Sequence, residues 1–310
     1  MLDVGKLATL CSVVAHGSFS AAADAIGLTQ PAVSRQVSLL ERRVGTQLVR
    51  RTQHGVYPTE AGKVLVGHSE AILDRVKLAE AQLADLAGLR AGHVRLGSFF
   101  TALVFLSAEL GALLETRHPA LFSGQRQPIE DLLVDRPSAL RGLAAAELDV
   151  AIVFEHAFEP DPAPADIELV PLFDDPPCAL LPAAHPLTSA QSVTAARLGN
   201  ETWIRAHQGS AARLIDHIAG QAGVHPTILH AGHGDEPVEA QAFVAAGHGI
   251  TIAHRLNILL NPEQVTAVPL AGQAPVRHIQ AAIMRNQHAP AARAVISALL
   301  EIGHRRATPA

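Results

Sequence analysis

The chain has 310 residues, of which 48% are hydrophobic and 17% charged, with two cysteines and a formal net charge of −5. This composition excludes disordered and disulfide-framework proteins, and the length allows two or three domains that each bury a core. No run approaches the roughly 18 uninterrupted apolar residues of a membrane helix, and no secretion signal opens the chain, so we expect a cytoplasmic protein without a membrane partner.

The charge is distributed unevenly along the chain. Residues 1–60 hold six basic and four acidic side chains, a net charge of +2, which leaves −7 on the remainder. A basic head on an acidic body is expected when only one module meets phosphate groups. The overall negative charge therefore does not exclude binding to nucleic acid.

Two short helical patterns near the N-terminus are joined by the turn Gly27-Leu28-Thr29. Gly27 suits the left-handed position that ends a helix, and Thr29 is placed to cap the next one. Pro31 lies in the first turn of the second helix, where a missing N–H costs nothing. An apolar stripe at helical spacing completes a helix-turn-helix pattern, and its members are Val33, Val37, Leu40 and Val44.

The polar side of the second helix predicts contacts with double-stranded DNA. Short polar and bidentate side chains read base edges in the major groove, and basic side chains beyond the helix hold phosphates. A solvated helix face is the alternative explanation of the same pattern. The residues predicted to bind DNA are Ser20, Gln30, Pro31, Ser34, Arg35, Ser38, Arg42, Arg50, Arg51 and Lys63.

A hairpin and a long helix are expected next. Turn residues flanked by strand formers over residues 52–58 predict the small hairpin, or wing, of a winged helix. Residues 60–90 contain no proline, and their apolar residues recur at heptad spacing, which predicts a helix that pairs two subunits. Packing of this helix on its own domain is the alternative. The predicted dimer-helix residues are Leu65, Ile72, Val76 and Leu83.

Strand and helix patterns alternate from His93 onward, which predicts a parallel sheet with helices on both faces. The first unit has strands at 93–97, 129–134 and 149–154, with helices at 101–116 and 138–146. The second has strands at 167–173, 178–182, 202–205, 227–230 and 250–253. It also has one helix at 211–222 and another helix that ends at Gly247. Residues 265–270 are expected to return toward the first unit, and 291–302 to form a closing helix.

The N-terminal pattern resembles the winged helix-turn-helix of LysR-type transcriptional regulators, in the series Ser18-Phe19, Ala21-Ala22, Gln30-Pro31-Ala32-Val33-Ser34, Leu40-Glu41, Gly45, Arg50, Thr59 and Gly62. Segments 146–152, 185–187 and 243–250 resemble the effector domain of this family, in its order. Two positions depart from the family: Val49 replaces a common Phe, and His254 stands where a Pro is frequent.

The resemblance implies an α+β multidomain fold with three parts. These are a mainly α winged helix-turn-helix over residues 1–59, a linker and dimerisation helix over 60–90, and a two-lobed α/β effector domain over 91–310. The effector domain is expected to resemble type 2 periplasmic binding proteins. Its first lobe would span about 91–160 and 268–310, and its second lobe about 161–267.

Ligands of lobed α/β proteins bind at the carboxyl ends of strands, where helix N-termini present free N–H groups. Arg136, Arg205 and His207 suit an anionic ligand there, because guanidinium groups pair with planar anions. Ordinary loop polarity is the alternative for each residue alone. The predicted effector-binding residues are Ser98, Phe99, Phe100, Thr101, Asp135, Arg136, Phe154, Arg205, His207, His233 and Asp235.

Together these features predict a sequence-specific DNA-binding transcriptional regulator, controlled by a small anionic effector bound between two lobes. The implied partners are operator DNA, the effector, further copies of the chain in a homodimer or homotetramer, and RNA polymerase. We expect no catalytic residues, cofactor or metal, because the sequence has no nucleophile elbow, His-Glu-x-x-His or Cys-x-x-Cys. The alternatives are an α/β enzyme with an accessory DNA-binding head, and a ligand-independent DNA-organising protein.

Overall fold

The computed structural model describes residues 2–53, 55–86, 93–119, 129–232, 238–259, 263–272, 274–287 and 289–307. The chain divides into two units. The first comprises Met1–Arg90, to which the segment Ala144–Glu147 is assigned, and the second comprises Ala91–Leu143 and Leu148–Ala310. Each unit has a hydrophobic core of its own.

The first unit is a winged helix-turn-helix followed by a long helix. Its elements are α1 (Val4–His16), α2 (Phe19–Ala25), α3 (Gln30–Val44), the antiparallel hairpin β1 (Val49–Thr52) and β2 (Gly55–Pro58), and α4 (Glu60–Leu86). Asp3 caps α1 and Ser18 caps α2, each by accepting a backbone N–H. The Thr29 side chain makes no capping bond, although Thr29 is the N-cap of α3. Pro31 is the second residue of α3, and it cannot donate to the Thr29 side chain because proline has no backbone N–H.

The core of this unit takes side chains from α1, α2, α3 and the hairpin, and the start of α4 packs against it. It is built from Leu7, Leu10, Val13, Phe19, Ala22, Ala23, Val33, Val37, Leu40, Leu48, Val49 and Val56. The predicted stripe on α3 is therefore buried at three of its positions. Val44 is the exception: it ends α3 just before the left-handed Gly45 and is 37% exposed. Val49 packs in this core and fills the position where the family commonly has Phe.

Thr59 and Gly62 join the hairpin to α4. Thr59 Oγ1 donates to the carbonyl of Gln47 at 2.7 Å and accepts from the N–H of Gly62 at 3.1 Å. A Cβ on Gly62 would clash with the carbonyl of Leu48. Only glycine allows this close approach, so the Thr-Gly pair fixes where α4 leaves the wing.

The two halves of α4 have different surroundings. Its first half packs on α1, Leu65 is partly buried against the core of the unit, and the buried Ser69 donates to the carbonyl of Leu65. In contrast, Ile72, Val76 and Leu83 are 40%, 36% and 66% exposed. The prediction for Leu65 is therefore corrected: its side chain packs against the core of the DNA-binding unit, because α1 lies beside this turn of α4. The exposed seam begins after Ser69.

The first lobe of the second unit is a five-stranded sheet with helices packed on it. Its elements are β3 (Val94–Ser98), α5 (Phe100–Arg117), β4 (Ile129–Leu133), α6 (Arg136–Ala144), β5 (Val150–His156), β6 (Ile167–Asp175), β12 (Arg277–Met284) and α9 (Pro290–Ala307). The strand order is β4-β3-β5-β12-β6. β3 runs parallel to β4 and β5, whereas β12 runs antiparallel to β5 and β6. The sheet is therefore mixed, not wholly parallel as the alternation predicted.

The second lobe contains two smaller sheets. Antiparallel strands in the order β10-β7-β11 form one, and the parallel pair β8-β9 forms the other. The elements are β7 (Pro177–Pro182), β8 (Thr202–Arg205), α7 (Ser210–Ala222), β9 (Thr227–His230), α8 (Val238–Ala245), β10 (Thr251–His254) and β11 (Val265–Pro269). Short 3₁₀ helices lie at Ala195–Leu198 and Arg255–Asn257. Within the described ranges, no helix combines the length and apolar character needed to cross a membrane.

Three sequence assignments in this unit need correction. β6 pairs with β12 in the first sheet, so the first lobe includes Ile167–Asp175 and the second does not begin at 161. β11 pairs with β7 and stays in the second lobe. The strand that returns to the first lobe is β12, which the sequence analysis did not predict. Alternation and apolar runs reveal that a strand is buried, but they do not identify the sheet that it joins.

Candidate functional site

The polar face of α3 lies on the surface of the first unit. Gln30, Pro31, Arg35, Ser38 and Arg42 lie opposite the buried stripe, on the side of the helix that is open to solvent. An exposed helix face with a glutamine and an arginine near its start has the side chains needed to hydrogen-bond adenine and guanine edges. The structure thus brings these predicted DNA-binding residues together on one face.

Arg51 and Ser34 are held together beside this face. The guanidinium of Arg51 lies 4.1 Å from the centre of the Phe19 ring and donates to Ser34 Oγ at 2.9 Å. Stacking on an aromatic ring orients the group while its remaining N–H donors can point elsewhere. Arg51 is therefore positioned by α2 and α3, and Ser34 serves as its partner.

The other predicted DNA contacts lie on neighbouring elements. Ser20 is exposed in the first turn of α2, and Arg50 is exposed on β1. Lys63 pairs with Glu60 at 2.8 Å, and its hydrogen bond and charge lower the pKa of that carboxyl group. Both side chains are largely exposed, and such surface pairs are weak, so the ammonium group can exchange this carboxylate for a phosphate.

Sequence reasoning missed the contacts that hold α3 in place. Glu41 Oε1 accepts from the backbone N–H of Leu48 at 2.9 Å and of Val49 at 3.3 Å, which ties the end of α3 to the wing. Thr9 Oγ1 donates to Gln36 Oε1 at 2.6 Å and links α1 to α3. Neither contact follows a helical or strand repeat, so no pattern in the sequence signals it.

A cavity of about 970 Å³ lies between the lobes of the second unit. Its volume is in the range of small-molecule sites. The predicted residues that line it are Phe99, Phe100, Thr101, Asp135, Arg136 and Phe154. The second lobe contributes polar residues that were not predicted, among them Ser210, Arg213, Gln241, Thr251 and His254.

Three further predicted effector residues, Ser98, Arg205 and His207, do not line this cavity. Ser98 is fully buried at the end of β3 and, within the described chain, is not among the lining residues. Arg205 pairs with Asp216 at 2.6 Å, and the exposed His207 stacks on His230 with ring centres 4.5 Å apart. Alternate side chains of a strand point to opposite faces, so a position at the end of a strand does not by itself place a side chain in the cavity. His233 and Asp235 lie outside the described residues.

The arginines that line the cavity are paired with acidic groups. Arg136 donates to the carbonyl of Asp161 at 2.6 Å and contacts the Glu155 carboxylate at 3.3 Å. Arg213 pairs with Glu159 at 2.7 Å. The side chains on which the anionic-ligand prediction rested, Arg136, Arg205 and His207, are thus all engaged with other residues.

Asp135 has a local role at the start of α6. Its Oδ1 accepts from the backbone N–H of Ser138 at 2.9 Å. Hydrogen bonds from the Ser138 hydroxyl and from this N–H lower the pKa of the Asp135 carboxyl group. The aspartate therefore acts as a helix cap at the rim of the cavity.

A buried polar network connects the lobes at the cavity wall. Arg277, on β12, pairs with Asp175 at 2.6 Å, and both residues are 3% exposed. Arg277 also donates at 2.9 Å to Asn257 Oδ1, which accepts from Thr101 Oγ1 at 2.9 Å. Sequence reasoning found only Thr101, because ion pairs between residues so far apart leave no local pattern. Buried ions are tolerated when such partners satisfy them.

Aromatic and imidazole rings continue this wall. The Arg277 guanidinium lies 4.9 Å from the centre of Phe154, whose ring meets Phe99 edge-on at 4.9 Å. Phe154 contacts His156 at 5.5 Å, and His156 stacks on His254 at 5.0 Å. His156 ends β5 of the first lobe and His254 ends β10 of the second, so the rings meet across the lobes.

Both imidazoles are buried and neutral. Burial, reinforced by the positive charges of Arg277 and Arg213, lowers the pKa of His156 to about 4. Burial and Arg277 also hold the pKa of His254 well below its ordinary value. Neither Nε2 atom has a hydrogen-bond partner among the described residues. His254 drew notice in the sequence only as a departure from a common Pro.

Comparison with known families covers most of the chain. The pattern described as a bacterial regulatory helix-turn-helix protein of the lysR family matches residues 4–63. The pattern described as the LysR substrate binding domain matches residues 87–303. The two matched segments therefore coincide with the helix-turn-helix and with the unit that holds the cavity.

Relatives and solved structures of similar length also match. A RuBisCO operon transcriptional regulator of Allochromatium vinosum is 26% identical over 274 residues, 87% of this chain and 86% of that protein. CbbR of Xanthobacter flavus is 27% identical over 300 residues, covering 95% and 86%. A full-length OxyR variant from Pseudomonas aeruginosa has a TM-score of 0.65 at 19% identity, covering 98% and 95%. CbnR complexed with its target DNA has a TM-score of 0.52 at 18% identity, covering 97% and 100%.

These solved structures are less than 25% identical to the chain, so they support the fold, whereas the family patterns account for both units. The chain therefore belongs to the LysR family of bacterial helix-turn-helix regulatory proteins, as a DNA-binding transcriptional regulator with a substrate-binding domain.

Proposed function

We propose that this regulator reads its operator through Gln30 and Arg35 of α3 and responds to a small molecule bound in the cavity between its lobes. The observation that carries the proposal is the exposed polar face of α3, opposite its buried stripe. Gln suits the adenine edge and Arg the guanine edge in the major groove. CbnR, whose structure with target DNA shares the fold, supports a DNA-bound state of this kind.

Basic side chains around α3 would hold the DNA backbone. Arg50 and Arg51 on the wing and Lys63 on α4 are exposed and carry positive charge toward the surface of the unit. Phosphate contacts fix the position of a protein on the duplex without reading its sequence. We therefore assign base reading to α3 and phosphate binding to the wing and the start of α4.

A dimer fits the surface of α4. Ile72, Val76 and Leu83 are exposed apolar residues at heptad spacing, the arrangement that pairs helices of two copies. Two heads held by such a helix pair would bind two half-sites, and a ligand that shifts the lobes would change their spacing. The division into residues 1–59, 60–90 and 91–310 and a cytoplasmic, non-catalytic role remain parts of this proposal.

The test begins by sequencing the DNA fragments that the purified protein binds, which gives an operator for affinity measurements. Gln30→Ala and Arg35→Ala are each expected to weaken operator binding by about 1–3 kcal/mol, because each removes a contact to a base edge. Affinity for a random duplex should change much less. Operator affinity of the unchanged protein is then measured across a small-molecule library, and compounds that bind the cavity should alter it.

Arg43→Ala is the matched control, since Arg43 is an exposed basic residue of the same helix that is not assigned to the DNA face. Equal losses on operator and random DNA for Gln30→Ala and Arg35→Ala would mean that these residues hold only phosphates. A library without any compound that changes operator affinity would favour a ligand-independent regulator.

A further inference from the structure

We propose that Phe19 is a positioning residue for DNA binding, because its ring and the Ser34 hydroxyl hold the Arg51 guanidinium beside α3 in the orientation that binds a DNA phosphate. This inference rests on the proposed function, which assigns Arg51 to the DNA backbone. It adds Phe19, a residue that is absent from the predicted DNA contacts. The main observation is that Arg51 contacts the Phe19 ring at 4.1 Å and Ser34 Oγ at 2.9 Å at the same time.

The three residues come from three different elements. Phe19 is the first residue of α2, Ser34 lies in the second turn of α3, and Arg51 is the third residue of β1. The Phe19 ring is 6% exposed and belongs to the core of the first unit, so it is a fixed platform, whereas Arg51 is exposed. A guanidinium stacked on a fixed ring loses less freedom on binding than one that moves in solvent. The stack therefore prepares Arg51 for its ligand.

Arg51 keeps the donors and the charge that a phosphate needs. A guanidinium has several N–H donors, and only Nη2 is used for Ser34. Among the residues that the structure describes, Arg51 forms no ion pair with a carboxylate, whereas Lys63 pairs with Glu60. A phosphate can therefore bind Arg51 without displacing an acidic side chain. Guanidinium and phosphate groups match each other in charge and in hydrogen-bond geometry.

Ser34 connects this arginine to the face of α3 that is assigned to base reading. Its hydroxyl, half-buried on α3, accepts from Arg51 and lies one helical turn from both Gln30 and Ser38. Residues four apart share one face of a helix. A phosphate held by Arg51 would thus fix the position of this face in the groove, since phosphate contacts set the register of a protein on the duplex.

Arg50 shows that the platform is specific to one of the two wing arginines. Consecutive residues of a strand point to opposite faces, so Arg50 and Arg51 leave the hairpin on different sides. Arg50 lies opposite Tyr57 in the hairpin register and is exposed. Within the described ranges it is stacked on no aromatic ring. Arg50 is therefore a matched reference: it has the same charge on the same strand, without the platform.

The test measures affinity of the full-length protein for its operator and for a random duplex by fluorescence anisotropy at several salt concentrations. Arg51→Ala should reduce the slope of log affinity against log salt by about 1, as loss of one phosphate contact predicts. Phe19→Leu keeps an apolar side chain and removes the ring face. It should weaken binding about two- to five-fold, the fold-change of one exposed cation–π contact, on both DNAs alike.

A double-mutant cycle tests whether Phe19 acts through Arg51. In the Arg51→Ala background, Phe19→Leu should cause no further loss of affinity. In the Arg50→Ala background, it should cause the full two- to five-fold loss, about the same as in the unchanged protein. Phe19→Tyr restores an aromatic face and should recover most of the affinity that Phe19→Leu loses.

Ser34→Ala provides a second cycle that does not touch the core. Melting temperatures of all variants identify any loss of folding, which matters most for Phe19→Leu because Phe19 packs in the core. Should Phe19→Leu be unfolded, Ser34→Ala still tests the unit. It should weaken binding to both DNAs, and this loss should also disappear in the Arg51→Ala background.

The outcomes that overturn the inference differ from those that overturn the proposed function. Equal losses from Phe19→Leu in the Arg50→Ala and Arg51→Ala backgrounds would mean that Phe19 only supports the core. An unchanged salt slope in Arg51→Ala, or losses confined to the operator, would remove the phosphate contact. Operator recognition by Gln30 and Arg35 would stand in each of these cases, because it is decided by the preference for operator over random DNA.

Discussion

His156 ends β5 with its ring buried between Phe154 and His254. An imidazole in this position must be neutral when the chain is folded, whereas the unfolded chain protonates it at its ordinary pKa. Folding is thereby coupled to proton release. The charged and titratable groups whose charge lowers the pKa of His156 are Arg277, Arg213, His278 and His217, and His254 stacks on its ring.

The sign of the resulting pH dependence follows from the lowered pKa. Between pH 6.5 and about 4 the unfolded chain binds more protons than the folded chain at His156, so stability falls as the pH falls through this window. Above pH 6.5 His156 is neutral in both the folded and the unfolded chain, so it causes no such loss of stability there. Urea unfolding measures this effect as the free energy of unfolding at each pH. As the pH is lowered from roughly 7 to 4.5, the free energy of unfolding of His156→Phe should fall by about 2 kcal/mol less than that of the unchanged protein.

His230→Phe provides the comparison for this experiment, because it changes an exposed stacked imidazole in the same unit. Its pH dependence should match that of the unchanged protein. If His156→Phe also matched the unchanged protein, the pKa of His156 would be the same in the folded and the unfolded chain, and burial would not lower it.

Other residues show how far sequence reasoning reaches at this scale. Gln30 and Arg35 were placed correctly on the surface, because the helical repeat fixes which side chains face the core. Arg136 was correctly placed at the cavity, but its pairing with Asp161 was not predicted, since that contact comes from a separate loop. Local repeats identify faces, whereas contacts between distant segments depend on the assembled fold.

The same limit applies to whole elements. The helices of the first unit were predicted because their caps, turns and apolar spacing agree with one another. β12 was missed because residues 281–284 are apolar and buried on both faces of the sheet, so this half of the strand lacks the polar alternation of a half-exposed strand. Such short apolar runs do not distinguish a strand from a helix, and they carry no information on sheet order.

The exposed seam of α4 supports a prediction at the scale of the element. Ile72→Glu combined with Val76→Glu should weaken self-association at least about ten-fold, because like charges would be buried without partners between two helices. Sedimentation equilibrium over a range of concentrations measures the effect. Thermal unfolding of the double variant should change little, since both side chains are at least 36% exposed within one chain.

His68→Glu combined with Ala71→Glu tests whether added charge alone weakens assembly. Both positions are exposed on α4 outside the assigned seam, and this variant should associate normally. Equal association by both double variants and the unchanged protein would place the dimer contact elsewhere and remove the role assigned to the seam.

For the second unit as a whole, the lobes depend on polar groups that bridge them. Asp175 lies at the end of the last strand before the chain enters the second lobe, and Arg277 at the start of the strand that returns. Asn257, which follows β10, accepts from Arg277 and Thr101. The chain thus places a buried ion pair where both connections between the lobes pass.

This arrangement predicts how the ion pair contributes to stability. Asp175→Leu alone should destabilise the protein by about 3–5 kcal/mol in urea unfolding, because it leaves the Arg277 charge buried without its carboxylate. Asp175→Leu combined with Arg277→Met should cost less than the single change, since removing both charges also removes their desolvation penalty. Glu159→Gln breaks the exposed pair with Arg213 and should cost less than about 1 kcal/mol. A double variant less stable than Asp175→Leu would show that Arg277 stabilises the unit through Asn257 and the Phe99 and Phe154 rings, independently of the ion pair.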